Sequence, residues 1–235
     1  MRLVASLAPE STMPSLTPQH SDLSGTCGIL IPAFNEEKTV SEVVQAAIAS
    51  DLGPVLVIDD GSTDRTVERA LQTGASVLSL SKNCGKGKAI TIGAESMQTN
   101  YILMIDADLL GLTEKHLKDL ADPVLTKKAD MTRGYFRGGR WQTTAAQIIS
   151  PQLSGQRMLS RENLLRIPGI ENSGYGIEIA ITTAARKSRW KIVEVPFTGV
   201  SQVLKEEKRG VIKGLRSRIH MYWDILVSIA KGFGS

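Results

Sequence analysis

Four short apolar runs, Cys27-Gly-Ile-Leu-Ile31, Val55-Leu-Val-Ile58, residues 75–80 and Tyr101-Ile-Leu-Met-Ile105, recur along the first half of the chain. Each has the length of a buried strand, and stretches of helical periodicity separate them. After the first run Asn35 stands as a helix cap, and Val40, Val43, Val44, Ala47 and Ile48 follow at the spacing of one buried stripe. A second helix ends near Gly74, and a third follows Asn83-Cys-Gly-Lys-Gly-Lys88 and continues through Met97. Strands alternating with helices of this length predict an α/β fold with a parallel, doubly wound sheet. Further on, the pattern predicts a helix over 176–186 and a strand over 192–196.

Polar residues gather where the apolar runs end. Pro32, Asn35, Glu36 and Glu37 follow the first; Asp59, Asp60, Ser62 and Asp64 follow the second; Lys86 and Lys88 precede the third helix; Asp106 and Asp108 follow the fourth run. In a parallel sheet these ends share one side, so residues far apart in sequence converge on one crevice. Two carboxylates one residue apart offer hard oxygens suited to Mg²⁺ or Mn²⁺, although a solvated turn has the same pattern. Asp60 can accept hydrogen bonds from the N–H groups of a base, and Glu37 from a ribose hydroxyl. The helix after Asn83-Cys-Gly-Lys turns backbone N–H groups toward negative charge. Plainer roles stay open: Glu36 and Asp64 as helix-dipole partners, Lys86 and Lys88 as surface charges.

The remaining composition narrows the setting. A length of 235 residues suits one domain with a real core. The formal charge of +4 is too small to imply nucleic acid as a partner and suits an anionic substrate or membrane surface. Cys27 and Cys84 lack metal-ligand spacing, so a reduced, cytoplasmic protein is expected. Residues 1–25, rich in Ser, Thr and Pro, read as a flexible tail. Residues 210–231 set Lys213, Arg216, Arg218 and Lys231 beside Ile212, Leu215, Ile219, Tyr222, Trp223, Ile225 and Leu226. That is a basic amphipathic helix, suited to peripheral membrane contact or to packing on the domain or a second copy of the chain. Glu178, just after Gly174-Tyr-Gly, can reach the cleft to bind sugar hydroxyls or take an acceptor proton, or it is an ordinary helix position. Arg157, and Arg133 or Arg137 before it, can hold an acceptor phosphate or form surface ion pairs.

Ile31-Pro-Ala-Phe-Asn-Glu-Glu37, Val57-Ile-Asp-Asp-Gly-Ser-Thr-Asp64, Asn83-Cys-Gly-Lys-Gly-Lys88 and Ile105-Asp-Ala-Asp108 resemble, in order and spacing, the nucleotide-sugar half of family 2 glycosyltransferases. More loosely, Leu153-Ser-Gly-Gln-Arg157 and Gly174-Tyr-Gly-Ile-Glu-Ile179 are similar to the acceptor half of polyprenyl-phosphate hexosyltransferases and of glucosyl-3-phosphoglycerate synthases. The resemblance implies a GT-A, Rossmann-like fold: a mostly parallel sheet flanked by helices, as a single domain over 26–209. Within it 26–110 form the nucleotide-sugar half and 111–209 the acceptor half.

The activity implied is transfer of a hexose from a UDP- or GDP-sugar to a phosphorylated or lipid-linked acceptor, with Mg²⁺ or Mn²⁺. Pro32, Ala33, Asn35, Glu37, Asp60, Lys86, Lys88 and Asp106 would meet the donor, and Ser154, Gly155, Arg157 and Tyr175 the acceptor. Asp106, Asp108 and Gln202 would hold the metal, with Asp108 and Glu178 as the catalytic pair. Where the synthase-type pattern often has a further histidine ligand, this chain has Gly199-Val-Ser-Gln202. A nucleotide-sugar-binding module without transferase activity would share the donor half. A sugar nucleotidyltransferase usually carries a glycine-rich basic loop after the first strand, where Pro-Ala-Phe-Asn-Glu-Glu stands here.

Overall fold

The four apolar runs become one half of a seven-stranded sheet in the computed structural model, which describes residues 24–137 and 154–202. In chain order the elements are β1 (Ser24–Ala33), α1 (Val40–Ala49), β2 (Val55–Asp59), α2 (Thr66–Leu71), β3 (Ser76–Ser79), α3 (Lys86–Ser96), β4 (Gln98–Met104) and β5 (Leu109–Leu110). They continue with α4 (Glu114–Leu125), β6 (Met131–Arg137), β7 (Arg157–Ser160), α5 (Arg161–Leu165), two 3₁₀ turns (Ile170–Asn172 and Gly174–Gly176), α6 (Ile177–Lys187), β8 (Ile192–Thr198) and β9 (Ser201–Gln202).

The large sheet runs β3-β2-β1-β4-β7-β6-β8. Its first four strands are parallel, β7 is antiparallel to both β4 and β6, and β8 is parallel to β6. Helices cover both faces. One core joins Ile29, Ile31, Val57 and Leu103 to Val43 and Val44 of α1 and Leu117 and Leu120 of α4. The other joins Leu30, Leu56, Ile58 and Ile102 to Ile90 of α3 and Ile177 and Ile181 of α6. Burial on both faces explains why β2 is an unbroken apolar run, each such side chain contributing about 2 kcal/mol.

Pro32 sits within a central strand without breaking it. Leu30 O accepts from Ile105 N toward β4, and Ala33 O accepts from Asp60 N toward β2. Pro32 therefore faces the β4 side beyond the last β1–β4 pair, Leu30 with Met104, where a missing N–H interrupts no ladder.

Two expectations shift. β1 begins at Ser24, so Ser24 and Gly25 belong to the sheet and pair with Gln98 and Thr99. Their pairing comes from β4 and leaves no hydrophobic mark. Asn35 does not cap α1, which starts at Val40; its φ is 56°, and Glu36 O accepts the amides of Thr39 and Val40. The tail over 1–23 and the basic amphipathic segment 210–231 lie outside the described residues. Among the described residues no helix is long and apolar enough to cross a membrane.

Candidate functional site

The loops after β1 and β2 are tied together by their polar side chains. Asn35 N donates to Ser62 Oγ and Thr63 N donates to Asn35 Oδ1, both at 2.9 Å. Asparagine tolerates the left-handed backbone this placement needs. Glu36 N donates to Thr66 Oγ1 at 2.8 Å, and the Glu37 carboxylate accepts from Arg65 N at 3.2 Å. Asp64 accepts from Thr66 N at 3.0 Å and from Glu37 N at 3.3 Å.

Asp60 reaches the next loop instead. Its two oxygens accept from Cys84 N at 2.6 Å and Gly85 N at 2.9 Å, which fixes the residues leading into α3. Burial raises the Asp60 pKa, the two amides draw it back, and Asp59 nearby adds to the rise.

Pinning that loop delivers Lys86, the first residue of α3, to the centre of the site. Its Nζ lies 2.7 Å from Asp106 Oδ1 and 2.5 Å from Glu178 Oε1. Burial favours losing the proton, but the charges of Asp106 and Glu178 and hydrogen bonds to both outweigh it, so the pKa stands above the ordinary lysine value. Gly87 permits the approach: a Cβ there would fall 2.6 Å from both Ile170 O and Ser173 Oγ, in the turns that lead into α6. Lys88, two residues on, points off the opposite side of the helix and is exposed, so it does not join the cluster.

Asp106 and Asp108 emerge from β4 as the spacing predicts. β5 follows at once and pairs with β9, Leu109 opposite Gln202. This brings Gln202 Nε2 to 3.3 Å from Asp106 Oδ2 across almost a hundred residues of chain. A second amide is closer: Gln156 Nε2 donates to the same oxygen at 2.9 Å. Gln156 lies inside the Leu-Ser-Gly-Gln-Arg motif, where nothing in the sequence singles it out. A glutamine between a glycine and an arginine shows no sign of which carboxylate it will meet.

The neighbours of Gln156 depart from the expected acceptor roles. Arg157 is 0% exposed. Its Nε donates to Ser154 O at 2.8 Å, and its Nη1 donates to Thr182 Oγ1 at 2.9 Å, which in turn donates to Glu178 O. Burial lowers its pKa to about 10, with Glu178 opposing and Arg133 adding to the fall. Arg133 is also buried and pairs with Glu194. Ser154 donates to Gln156 Oε1 at 2.7 Å, and Gly155 lies against the Asp106 carboxylate. The Ser-Gly-Gln-Arg segment thus reaches the Asp106 carboxylate through Gln156 and, through Arg157 and Thr182, the backbone of Glu178. Tyr175 stands in the second 3₁₀ turn, its side chain outside the described part.

Pro32 and Ala33 close β1 opposite Ile58 and Asp59, at the floor of the same crevice. Asp106 and Asp108 supply the hard oxygens that Mg²⁺ or Mn²⁺ takes, and the Gln202 side chain carries a further oxygen beside them. Among the described residues no three His, Cys, Asp or Glu side chains group together for an ion. An ion held by two carboxylates and one amide oxygen would complete its shell with oxygens from outside the protein.

A parallel half-sheet joined to an antiparallel β7, with an acidic pair following β4, defines a protein of the GT-A fold. The chain belongs to glycosyl transferase family 2, whose model matches residues 28–188. It is 33% identical over 188 residues to the glycosyltransferase AglJ of Haloferax volcanii, covering 72% of this chain and 61% of that one. It is 27% identical over 192 residues to the glucosyl-3-phosphoglycerate synthase of Mycolicibacterium smegmatis, covering 66% and 62%. The chain thus spans about three fifths of the length of these curated relatives. Among solved structures, glucosyl-3-phosphoglycerate synthase from Mycobacterium tuberculosis in complex with Mn²⁺, UDP-glucose and phosphoglyceric acid is similar with a TM-score of 0.65. The identity there is 27%, over 82% of this chain and 79% of that one.

Proposed function

We propose that this chain is a metal-dependent hexosyltransferase that moves a hexose from a UDP-sugar to a small phosphorylated acceptor of the phosphoglycerate kind. The observation that carries the reading is the charge layout of the crevice, with Lys86 held between Glu178 and Asp106, the first of the two aspartates that follow β4. The similar synthase binding Mn²⁺, UDP-glucose and phosphoglyceric acid supports the choice of donor and acceptor class.

Asp106 and Asp108 would hold the divalent ion, which when bound supplies positive charge against the departing nucleoside diphosphate. The protein's own groups prepare the rest. Asp60 anchors the amides of Cys84 and Gly85, so the amino-terminal end of α3 and the Lys86 ammonium keep a fixed place beside the diphosphate. Asn35 and Glu37 brace the loops that line the base and ribose. Glu178 orients Lys86 through Oε1 and offers its other oxygen to a sugar hydroxyl.

A lipid-linked acceptor is the second reading. The basic segment 210–231, with Tyr222 and Trp223 among its apolar positions, favours it by suiting an anionic membrane surface.

Incubation with UDP- and GDP-hexoses, Mn²⁺ and either 3-phosphoglycerate or a polyprenyl phosphate, followed by mass spectrometry, tests both. The expected product is a hexosylated phosphoglycerate formed from the UDP-sugar, absent with Asp108→Ala or with EDTA. Full turnover by Asp108→Ala, or no product from any pairing, overturns the proposal.

A further inference from the structure

We propose that Gln156 is a positioning residue for Asp106: its side-chain amide, oriented by Ser154, holds the carboxylate where it faces Lys86 and so sets the affinity of the site for a divalent cation with nucleoside diphosphate. The inference rests on the metal-dependent reading above.

Gln156 is 0% exposed. A primary amide that deep costs stability unless its polar atoms are satisfied, and here the partners dictate its orientation. Ser154 Oγ donates to Oε1 at 2.7 Å, which makes that end the acceptor and turns Nε2 toward Asp106 Oδ2 at 2.9 Å. The backbone is held as well, since Gln156 O accepts from Gly134 N of β6 at 2.8 Å.

Asp106 is closely held. Gln156 takes one oxygen, Lys86 takes the other, and Gly155 presses so close that a Cβ there would lie 2.4 Å from both. Gln202 adds only an exposed contact at 3.3 Å. Of these two amides, the buried one makes the shorter contact with Oδ2. Groups that orient a metal-binding carboxylate typically change metal affinity by roughly 10–100-fold when removed.

The test is titration of Mn²⁺ in the presence of UDP, followed by the loss of the free Mn²⁺ paramagnetic resonance signal, on the wild type, Gln156→Met and Ser154→Ala. Gln156→Met is expected to weaken Mn²⁺ binding by roughly tenfold or more. Ser154→Ala, which frees the amide to rotate, weakens it less and in the same direction. The Mn²⁺ concentration needed for half-maximal transfer rises in proportion. A purely structural role would instead lower the active fraction and leave Mn²⁺ affinity unchanged; that result, in either folded variant, overturns the proposal. If Gln156→Met does not fold, Ser154→Ala decides. Failure of the wild type to bind Mn²⁺ with UDP overturns the proposed function along with this inference. Wild-type-like binding by the variants overturns this inference alone.

Discussion

Replacing Gly155 with alanine adds one methyl group at the most crowded point of the site. The new Cβ would fall 2.4 Å from both oxygens of Asp106 and 2.7 Å from its Cγ, where ordinary contact begins at 3.4 Å. Gly155 is not among the left-handed glycines, so backbone strain is not the issue and the effect falls on the carboxylate. To relieve the overlap Asp106 has to move by about 1 Å, loosening its 2.7 Å contact with Lys86 and its 2.9 Å contact with Gln156. Overpacking of this kind costs about 1–3 kcal/mol of stability. A catalytic group displaced by about 1 Å costs on the order of 100-fold in rate. Steady-state transfer assays with Mn²⁺ titration, beside a thermal unfolding curve, separate the two effects. Gly155→Ala is expected to lower the midpoint by only several degrees while kcat/KM falls about 100-fold. Wild-type kcat/KM and Mn²⁺ affinity in the folded variant would refute the geometry of the whole Asp106 surround.

Three further outcomes are expected. Lys86→Met leaves Asp106 and Glu178 facing each other without the cation between them, and urea unfolding should show a loss of about 3–5 kcal/mol; an unchanged midpoint would contradict the ion-pair geometry. Arg157→Ala should destabilise by about 1–3 kcal/mol, because the buried Ser154 carbonyl and Thr182 hydroxyl lose their donor, whereas a fully stable variant with a raised acceptor KM would favour an acceptor role. Burial pushes the Cys27 thiol from 9.0 to about 12. The unfolded chain loses this proton first, so the Cys27 contribution to stability is complete below pH 9 and declines toward pH 12 by about 1.4 kcal/mol per pH unit. Comparison of urea unfolding for wild type and Cys27→Ala across that range should show the gap shrinking, and a constant gap would refute it.

Much of the donor half was legible before folding. Buried parallel strands must be apolar on both faces, so 27–31, 55–58, 75–80 and 101–105 announce themselves, and polar residues at their ends have only one crevice to share. Asp106, Asp108, Asp60 and Lys86 all stand where that reasoning places them. What it leaves unread are the partners within the protein. Asp60 spends both oxygens on a neighbouring loop, and Asn35 ties two loops together without capping a helix. In the acceptor half the motif Ser154-Gly-Gln-Arg157 marks the place, but its internal partners, Asp106 among them, cannot be read from the chain.

The sequence by itself determined the order of strands and helices and the collection of charge at the strand ends, because periodicity and strand burial are local properties of the chain. Only the tertiary structure decided which charge answers which. Lys86 meets Glu178 across 92 residues and Gln202 meets Asp106 across 96, through the packing of α3 on the turns before α6 and the pairing of β5 with β9. Such contacts depend on strand register and on two glycines small enough to let backbone and carboxylate close, and neither leaves a periodic trace in the chain.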